Sequence, residues 1–330
     1  MTTAESLDIA LVEGLVRDAA AAPSMHNAQP WFFHCRRSDR VLELRADPAR
    51  TMPSADPALR ALHIGCGAAL LNLRAAAQHA GLRPDIELLP DPSDRYALAS
   101  VRLTEADPDE LDRDLVSLRS AIPQRHTSRY PFAEKPIPER VKERLAGEAR
   151  TEGAQLTFPT DWHLAMVLDL IDEAELDLEH TGDPDESRWV RIGTALSDTA
   201  ADGLPEYSLG PRKREGRAPV RDFARGRADT DRGSTAFEHM PQLGLVSTWH
   251  DGPRDWLIAG QAMERALLLA TRAGLVASFA TQALERTDLR WLLRDPARAD
   301  GPAQMVIRFG YGPQAPHTPR RPVHDILEIS

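Results

Sequence analysis

Two long helical stretches limit the folds open to this chain of 330 residues. Residues 58–80 and 254–273 keep small and apolar side chains at helical spacing, and each stops at a glycine, Gly81 and Gly274, suited to closing a helix. A shift of 193 positions aligns Gly67 with Gly260, Ala69 with Ala262 and Ala77 with Ala270, and Ala80-Gly81-Leu82 with Ala273-Gly274-Leu275. Two readings stand. Alanine-rich helices agree this far by chance, or the chain is duplicated and its halves pack as a pseudo-dimer around these helices.

The remaining pattern predicts an α+β protein. A helix over residues 7–22 carries the apolar stripe Ile9, Leu11, Val12, Leu15 and Val16, and Pro23 stops it. Strands are predicted over 31–33, 41–44, 85–89 and 96–103, and a late one over 304–311. Residues 104–113 are rich in acids and proline and read as a connection. Ile137-Pro138-Glu139 opens a further helix, with helices dominating 162–200. Residues 203–232 hold glycine, proline and charge with little periodicity, the mark of a functional loop, a lid or a disordered segment. We therefore expect two related halves, 1–112 and 113–330, with mixed or antiparallel sheets around central paired helices and an insertion at about 203–240.

Several function classes are disfavoured. With 40 basic against 50 acidic residues the formal net charge is −10, which repels nucleic-acid phosphate. No apolar run reaches the ~18 residues of a membrane span, and the early acids Glu5, Asp8 and Glu13 are unlike an export signal. The expectation is a soluble cytoplasmic protein with neither membrane nor nucleic-acid partners. Two cysteines, Cys35 and Cys66, make neither a disulfide framework nor a four-thiolate site, and the eleven histidines lack metal-ligand spacing, so no metal is expected. There is no G-x-G-x-x-G turn, Walker loop, G-x-S-x-G, H-E-x-x-H or C-x-x-C, and Gly65-Cys66-Gly67 lies inside a helix.

Three stretches carry candidate chemistry. Residues 23–31, Pro-Ser-Met-His-Asn-Ala-Gln-Pro-Trp, read locally as a helix stop and a turn capped by Ser24 or Asn27. That leaves Asn27, Gln29 and Trp31 unexplained on one proline-bracketed loop, where amides and a hydroxyl beside an aromatic wall suit a flat heterocycle with polar edges. Arg125-His126-Thr127-Ser128-Arg129 reads by itself as a basic surface turn. The strand end Arg308-Phe309-Gly310-Tyr311-Gly312 leads to the basic tail Pro319-Arg320-Arg321-Pro322. Of the 40 basic residues only Lys135, Lys142 and Lys213 are lysines; codon usage explains most of the arginines, but arginine is also the bidentate partner of phosphate.

Together these stretches resemble the nitroreductase-like flavoprotein family, with its P-S-x-x-N-x-Q-P-W segment, its R-x-[ST]-x-[RK] element and its basic C-terminus. Pro23, Ser24, Asn27, Gln29, Pro30 and Trp31 match the first, and Arg125, Thr127 and Arg129 the second, followed by Phe132, Pro136 and Pro138. The resemblance implies an FMN-dependent oxidoreductase that takes hydride from NAD(P)H as a transient reductant and passes electrons to a small-molecule acceptor, a nitroaromatic or quinone. The flavin carries the redox chemistry, so no catalytic side chain is expected. By this resemblance the FMN contacts are Pro23, Ser24, Met25, Asn27 and Gln29 from the first half, and Arg125, His126, Thr127, Arg129, Ala277, Ser278, Arg320 and Arg321 from the second. Thr318 stands where the family often has another cation. Each motif occurs once, which implies one FMN per chain in the manner of the Acg-type, single-chain branch, as a monomer or homodimer. The loop cations Arg212, Lys213, Arg214, Arg217, Arg221, Arg225 and Arg227 read as a solvated loop or as a lid over the flavin, and His239 and Met240 as candidates to approach the ring. The alternatives are a protein that sequesters or stores FMN and another flavin-dependent dehydrogenase or dehalogenase on the same fold.

Overall fold

Asp8 starts the first helix, its carboxylate accepting from Leu11 N at 3.1 Å, and Val12, Leu15 and Val16 bury the stripe read from the sequence. The computed structural model describes residues 6–182, 184–192, 200–224, 232–298 and 300–330. In chain order the first half runs α1 (Ile9–Ala20), β1 (Trp31–Arg36), β2 (Val41–Ala46), α2 (Arg60–His79), β3 (Leu82–Leu88) and β4 (Ala97–Glu105). After α3 (Arg113–Leu118) come α4 (Glu139–Thr151), β5 (Gln155–Thr157), α5 (Asp161–Thr181) and α6 (Pro184–Trp189). Short strands follow: β6 (Val190–Arg191), β7 (Leu204–Pro205), β8 (Arg212–Glu215) and β9 (Ser234–Ala236). The chain then forms β10 (Gln242–Ser247), α7 (Pro253–Arg272), β11 (Val276–Phe279), α8 (Gln282–Glu285), α9 (Thr287–Arg290), β12 (Ala303–Gly310) and β13 (Leu327–Ile329).

The two main sheets share an order. In the first, β1, β2, β4 and β3 lie side by side, all antiparallel; in the second, β5, β10, β12 and β11 do the same. Each third strand in the sequence follows a long central helix at a left-handed glycine, Gly81 (φ 77°) or Gly274 (φ 74°), where a side chain would be strained. The tail adds β13 parallel to β1, which makes the first sheet mixed and ties the C-terminus to the N-terminal half.

Helices α2 and α7 cross at reciprocal glycines. A β-carbon on Gly67 would lie 2.3 Å from Leu257 O, and one on Gly260 would lie 2.0 Å from Ile64 O. Each contact is the image of the other under the 193-residue shift, the pattern of an isologous interface. Only glycine allows this approach.

Some boundaries differ from expectation. Over 162–200, where helices are expected, α5 ends at Thr181, where Gly182 takes φ 72°, then α6 and the strand β6 follow; residues 193–199 lie outside those described. The material inserted between β5 and β10 covers 158–241, more than the expected 203–240, because α5 packs on α8 rather than within the repeated unit. Among the described residues no helix is long and apolar enough to cross a membrane.

Candidate functional site

The loop between α1 and β1 is held in an unusual backbone shape. His26, Asn27 and Gln29 have φ of 49°, 55° and 52°, a region that costs non-glycine residues on the order of 1–3 kcal/mol each. Their side chains hold the loop there. Asn27 Nδ2 donates to Gly203 O and Pro319 O, both at 3.0 Å, and its Oδ1 accepts from Arg320 Nη1 at 3.0 Å. Ser24 Oγ accepts from Gln29 N at 2.9 Å. Gly65 on α2 lets the loop settle on the helix, since a β-carbon there would meet Ser24 Cβ at 3.3 Å.

Opposite this loop the 125–129 segment joins the second sheet: Thr127 pairs with Ala277, and Ser128 N donates to Ala277 O at 2.8 Å. Between them lies a cleft of about 1200 Å³, counting space open to solvent. Pro23, Ser24, Met25, Asn27, Arg125, His126, Thr127, Arg129, Ser278 and Arg320 all line it. Asn27 and Arg125, far apart in the sequence, thus face one hollow.

Its electrostatics are one-sided. Arg125 is buried, gives Nη2 to Ala21 O at 3.0 Å, and has Nε 3.3 Å from Glu264 Oε1. Arg320 is held by Ala21 O (3.1 Å) and Thr318 Oγ1 (2.8 Å). Burial, and then the neighbouring Arg125, push the Arg320 guanidinium down to about 9, against the opposing pull of Glu264. Burial alone pushes Arg129 down to about 10. Burial also raises the Glu264 carboxyl, which is fully enclosed on α7, although Arg125 pulls it the other way. Arg125 Nε and Arg320 Nε have no hydrogen-bond partner. Buried Arg125 and half-buried Arg320 therefore have one carboxylate near both, an excess of positive charge of the kind that suits an anionic group. A flat ring system has Met25, Ile64, Phe223 and Phe279 for apolar neighbours.

Three expected contacts lie elsewhere. Gln29 is fully buried but does not line the cleft: its amide donates to Ala201 O at 2.9 Å and accepts from Arg321 N at 2.8 Å, tying loop to tail. Arg321 is turned away toward Asp47 and Asp325 O. Ala277 lines a smaller groove behind the 125–129 segment. Trp31 is no aromatic wall; it is wholly buried in the core. His239 and Met240 keep clear of the cleft, their amides bonded to Glu134 and Met240 exposed.

Other residues carry no motif yet shape the site. Glu264 sits inside an alanine-rich helix, and Arg60 opens α2 at the cleft wall. From the insertion, Pro219, Val220, Arg221 and Phe223 come down over the cleft. Arg221 donates to Glu285 at 2.7 and 3.0 Å and to Glu186 at 2.8 Å, and Phe223 meets the His26 ring edge-on at 5.6 Å. Of the loop cations, Lys213 gives its ammonium to Ala218 O and Arg217 faces Asp169 at 3.6 Å; Arg225 and Arg227 lie outside the described residues. Only buried pairs of motif and partner would have revealed Glu264, and a single sequence holds none.

No protein-family model matches the chain. Two crystal structures, the FMN- and NADPH-dependent nitroreductase NfnB of sphigopyxis sp. strain HMH and a nitroreductase with bound FMN from Bacteroides fragilis NCTC 9343, align over 64% and 62% of this chain and 97% and 92% of theirs. Their identities are 14% and 13% and their TM-scores 0.40 and 0.33, too slight a likeness to carry weight. Two curated proteins of Mycobacterium tuberculosis (strain ATCC 25618 / H37Rv) match far better. "Putative NAD(P)H nitroreductase Rv3131" is 30% identical over 328 residues, 97% of this chain and 92% of that protein. "Putative NAD(P)H nitroreductase acg" is 30% identical over 329 residues, 97% of this chain and 96% of that protein. At that identity across nearly the whole of both lengths, the chain belongs to the NAD(P)H nitroreductase family that includes acg.

Proposed function

We propose that this protein is an FMN-dependent, NAD(P)H-linked oxidoreductase of nitroreductase type that reduces nitroaromatic or quinone-like acceptors. The observation that carries this reading is the pair of arginines, Arg125 and Arg320, that line one cleft and have the enclosed carboxylate of Glu264 near both. Arg125 and Arg320 would hold the FMN phosphate. Arg129, Ser24 and Ser278 supply polar contacts along the cleft, and Phe223 and Phe279 exclude water from it. FMN, when bound, supplies the acceptance of a hydride and the delivery of two electrons to the acceptor. The side chains bind and orient; none is assigned a proton to move. Because loop 23–30 and segment 125–129 each occur once, we assign one FMN to each chain, in a site assembled between halves 1–112 and 113–330. A monomer or a homodimer is compatible with this assignment.

The Arg221–Glu285–Glu186 cluster, which holds the inserted segment against the cleft, favours a second reading, in which FMN is sequestered with little turnover. One experiment separates them. Purified protein is loaded with FMN, its stoichiometry is measured, and NADH or NADPH is added without oxygen. Rapid bleaching of the flavin band is expected. Bleaching by dithionite alone favours sequestration, and a protein that stays colourless with excess FMN overturns both.

A further inference from the structure

The cleft has a further cation that the phosphate end does not use. Arg60, the first residue of α2, lines it and is 7% exposed. It donates to Gln304 O, and among the described residues it has no carboxylate within ion-pair distance. The acids near enough to act on it are Asp56, Asp251 and Glu285, and all three are engaged elsewhere. Asp56 caps α2, accepting from Ala61 N and Leu62 N at 3.0 and 2.9 Å. Asp251 is held by both terminal nitrogens of Arg290 at 2.8 Å, and Glu285 is clasped by Arg221 and by Thr281 Oγ1. Arg290 adds a like charge. Burial, with Arg290, pushes the Arg60 guanidinium down to about 10, as expected of a cation short of an anion.

We propose that the Arg60 end of the cleft is a subsite for an anionic electron acceptor, one that carries a carboxylate beside its reducible group. A buried arginine without a counter-ion gains most from a charged, planar, bidentate partner, and a carboxylate has that shape. The subsite deepens the oxidoreductase reading and rests on it. It predicts that acceptors with a carboxylate outperform neutral ones of the same size.

The test uses the FMN-loaded protein with para-nitrobenzoate and para-nitrobenzyl alcohol as paired acceptors, in the wild type, Arg60→Gln and Arg60→Lys. The wild type should prefer the carboxylate by about tenfold or more in kcat/KM, Arg60→Gln should lose that preference, and Arg60→Lys should keep part of it. FMN affinity should stay within about twofold in both variants, since neither touches the phosphate end. Equal use of both acceptors by the wild type, or a preference that survives Arg60→Gln, overturns the subsite. So does a fall in FMN affinity in Arg60→Gln as large as that caused by Arg125→Ala, which would assign Arg60 to the cofactor. Benzoate binding, followed by calorimetry, reads the subsite without turnover. If the protein takes up no FMN, the function above fails by itself, while Arg60-dependent binding of benzoate would still support the subsite and its absence would overturn it.

Discussion

The two ends of the α2–α7 pair, related by the 193-residue shift, differ in electrostatic state. At the cleft end α1 reaches β1 through residues 21–30, long enough to make a cradle; at the other end α4 reaches β5 through residues 152–154. Gly65 leaves room for Ser24, whereas the residue 193 positions on is Ile258, whose side chain packs 3.6 Å from where a Gly153 β-carbon would stand. The same shift relates Asn72 to Arg265. Arg265 is ringed by Glu148, Asp112 and Glu152 at 2.5, 3.0 and 3.0 Å, and its hydrogen bonds to these acids outweigh burial and raise its pKa. Arg320, short of acids, is pushed down. One end satisfied its own charges. The other has a cleft and an excess of positive charge, which under the function proposed above receives an anion.

The largest effect expected is on the crossing both ends share. Gly260→Val puts a side chain against the Ile64 carbonyl, backbone that cannot swing aside, and should cost about 3 kcal/mol or more. Little folded protein should be recovered. Gly14→Ala on α1, with nothing within 4 Å of the added carbon, should instead gain up to about 1 kcal/mol in urea unfolding. Equal stability for the two variants would break the account of the crossing.

Arg125→Ala comes next. It removes the proposed phosphate ligand and leaves Glu264 without its ion-pair partner, a change that typically costs about 3–5 kcal/mol for a buried pair. FMN affinity should fall by roughly a hundredfold. Adding Glu264→Gln should restore much of the stability but none of the affinity, because a neutral amide needs no counter-ion. If both recover together, Arg125 acts only by holding the fold.

Gly65→Ile installs at the cleft end the side chain found at the mirrored position. Pushing the largely buried loop 23–30 off α2 should weaken FMN binding by roughly tenfold and, because the added side chain overpacks a buried contact, lower the thermal midpoint as well. Unchanged affinity would mean that Ile258 is not what closes the other end.

Local chemistry was legible in the sequence; long-range partners were not. The two helices and their glycine stops follow from periodicity and turn residues, and ten of the cleft-lining residues from short motifs and the resemblance they carry. Gln29 and Arg321 share those motifs, yet their side chains meet each other's segments across 292 positions and are consumed as a tie. Glu264 and Arg60 were hidden for the opposite reason: each sits in an ordinary helix, and its meaning comes from neighbours brought by the 125–129 segment, β12 and the tail. The repeated strand order was obscured by the 158–241 insertion, which separates β5 from β10 although they pair.

The smallest effect tests the charge imbalance by pH. His126 lies in the cleft wall, its ring 3.8 Å from that of His317, and burial, then Arg125 and His317, lower its pKa from 6.5 to about 4. The unfolded chain therefore takes up this proton first as the pH falls. The stability tied to a neutral His126 is complete above about pH 6.5 and is lost progressively toward pH 4. Glu264 acts with the other sign: its raised carboxyl favours the folded state at low pH and loses that advantage as the pH climbs above the ordinary carboxylate range. Asp112, at the ion-paired end, is lowered from 3.8 and matters only below the histidine window. Urea midpoints between pH 7 and 4.5 should thus fall less steeply in His126→Asn than in the wild type. Saturating FMN should flatten the wild-type curve as well, because a bound phosphate cancels the field of Arg125 and Arg320 and lets the imidazole keep its proton in the folded state. A variant that follows the wild type at every pH would show that His126 does not feel those arginines, and with it the electrostatic contrast between the two ends would fail.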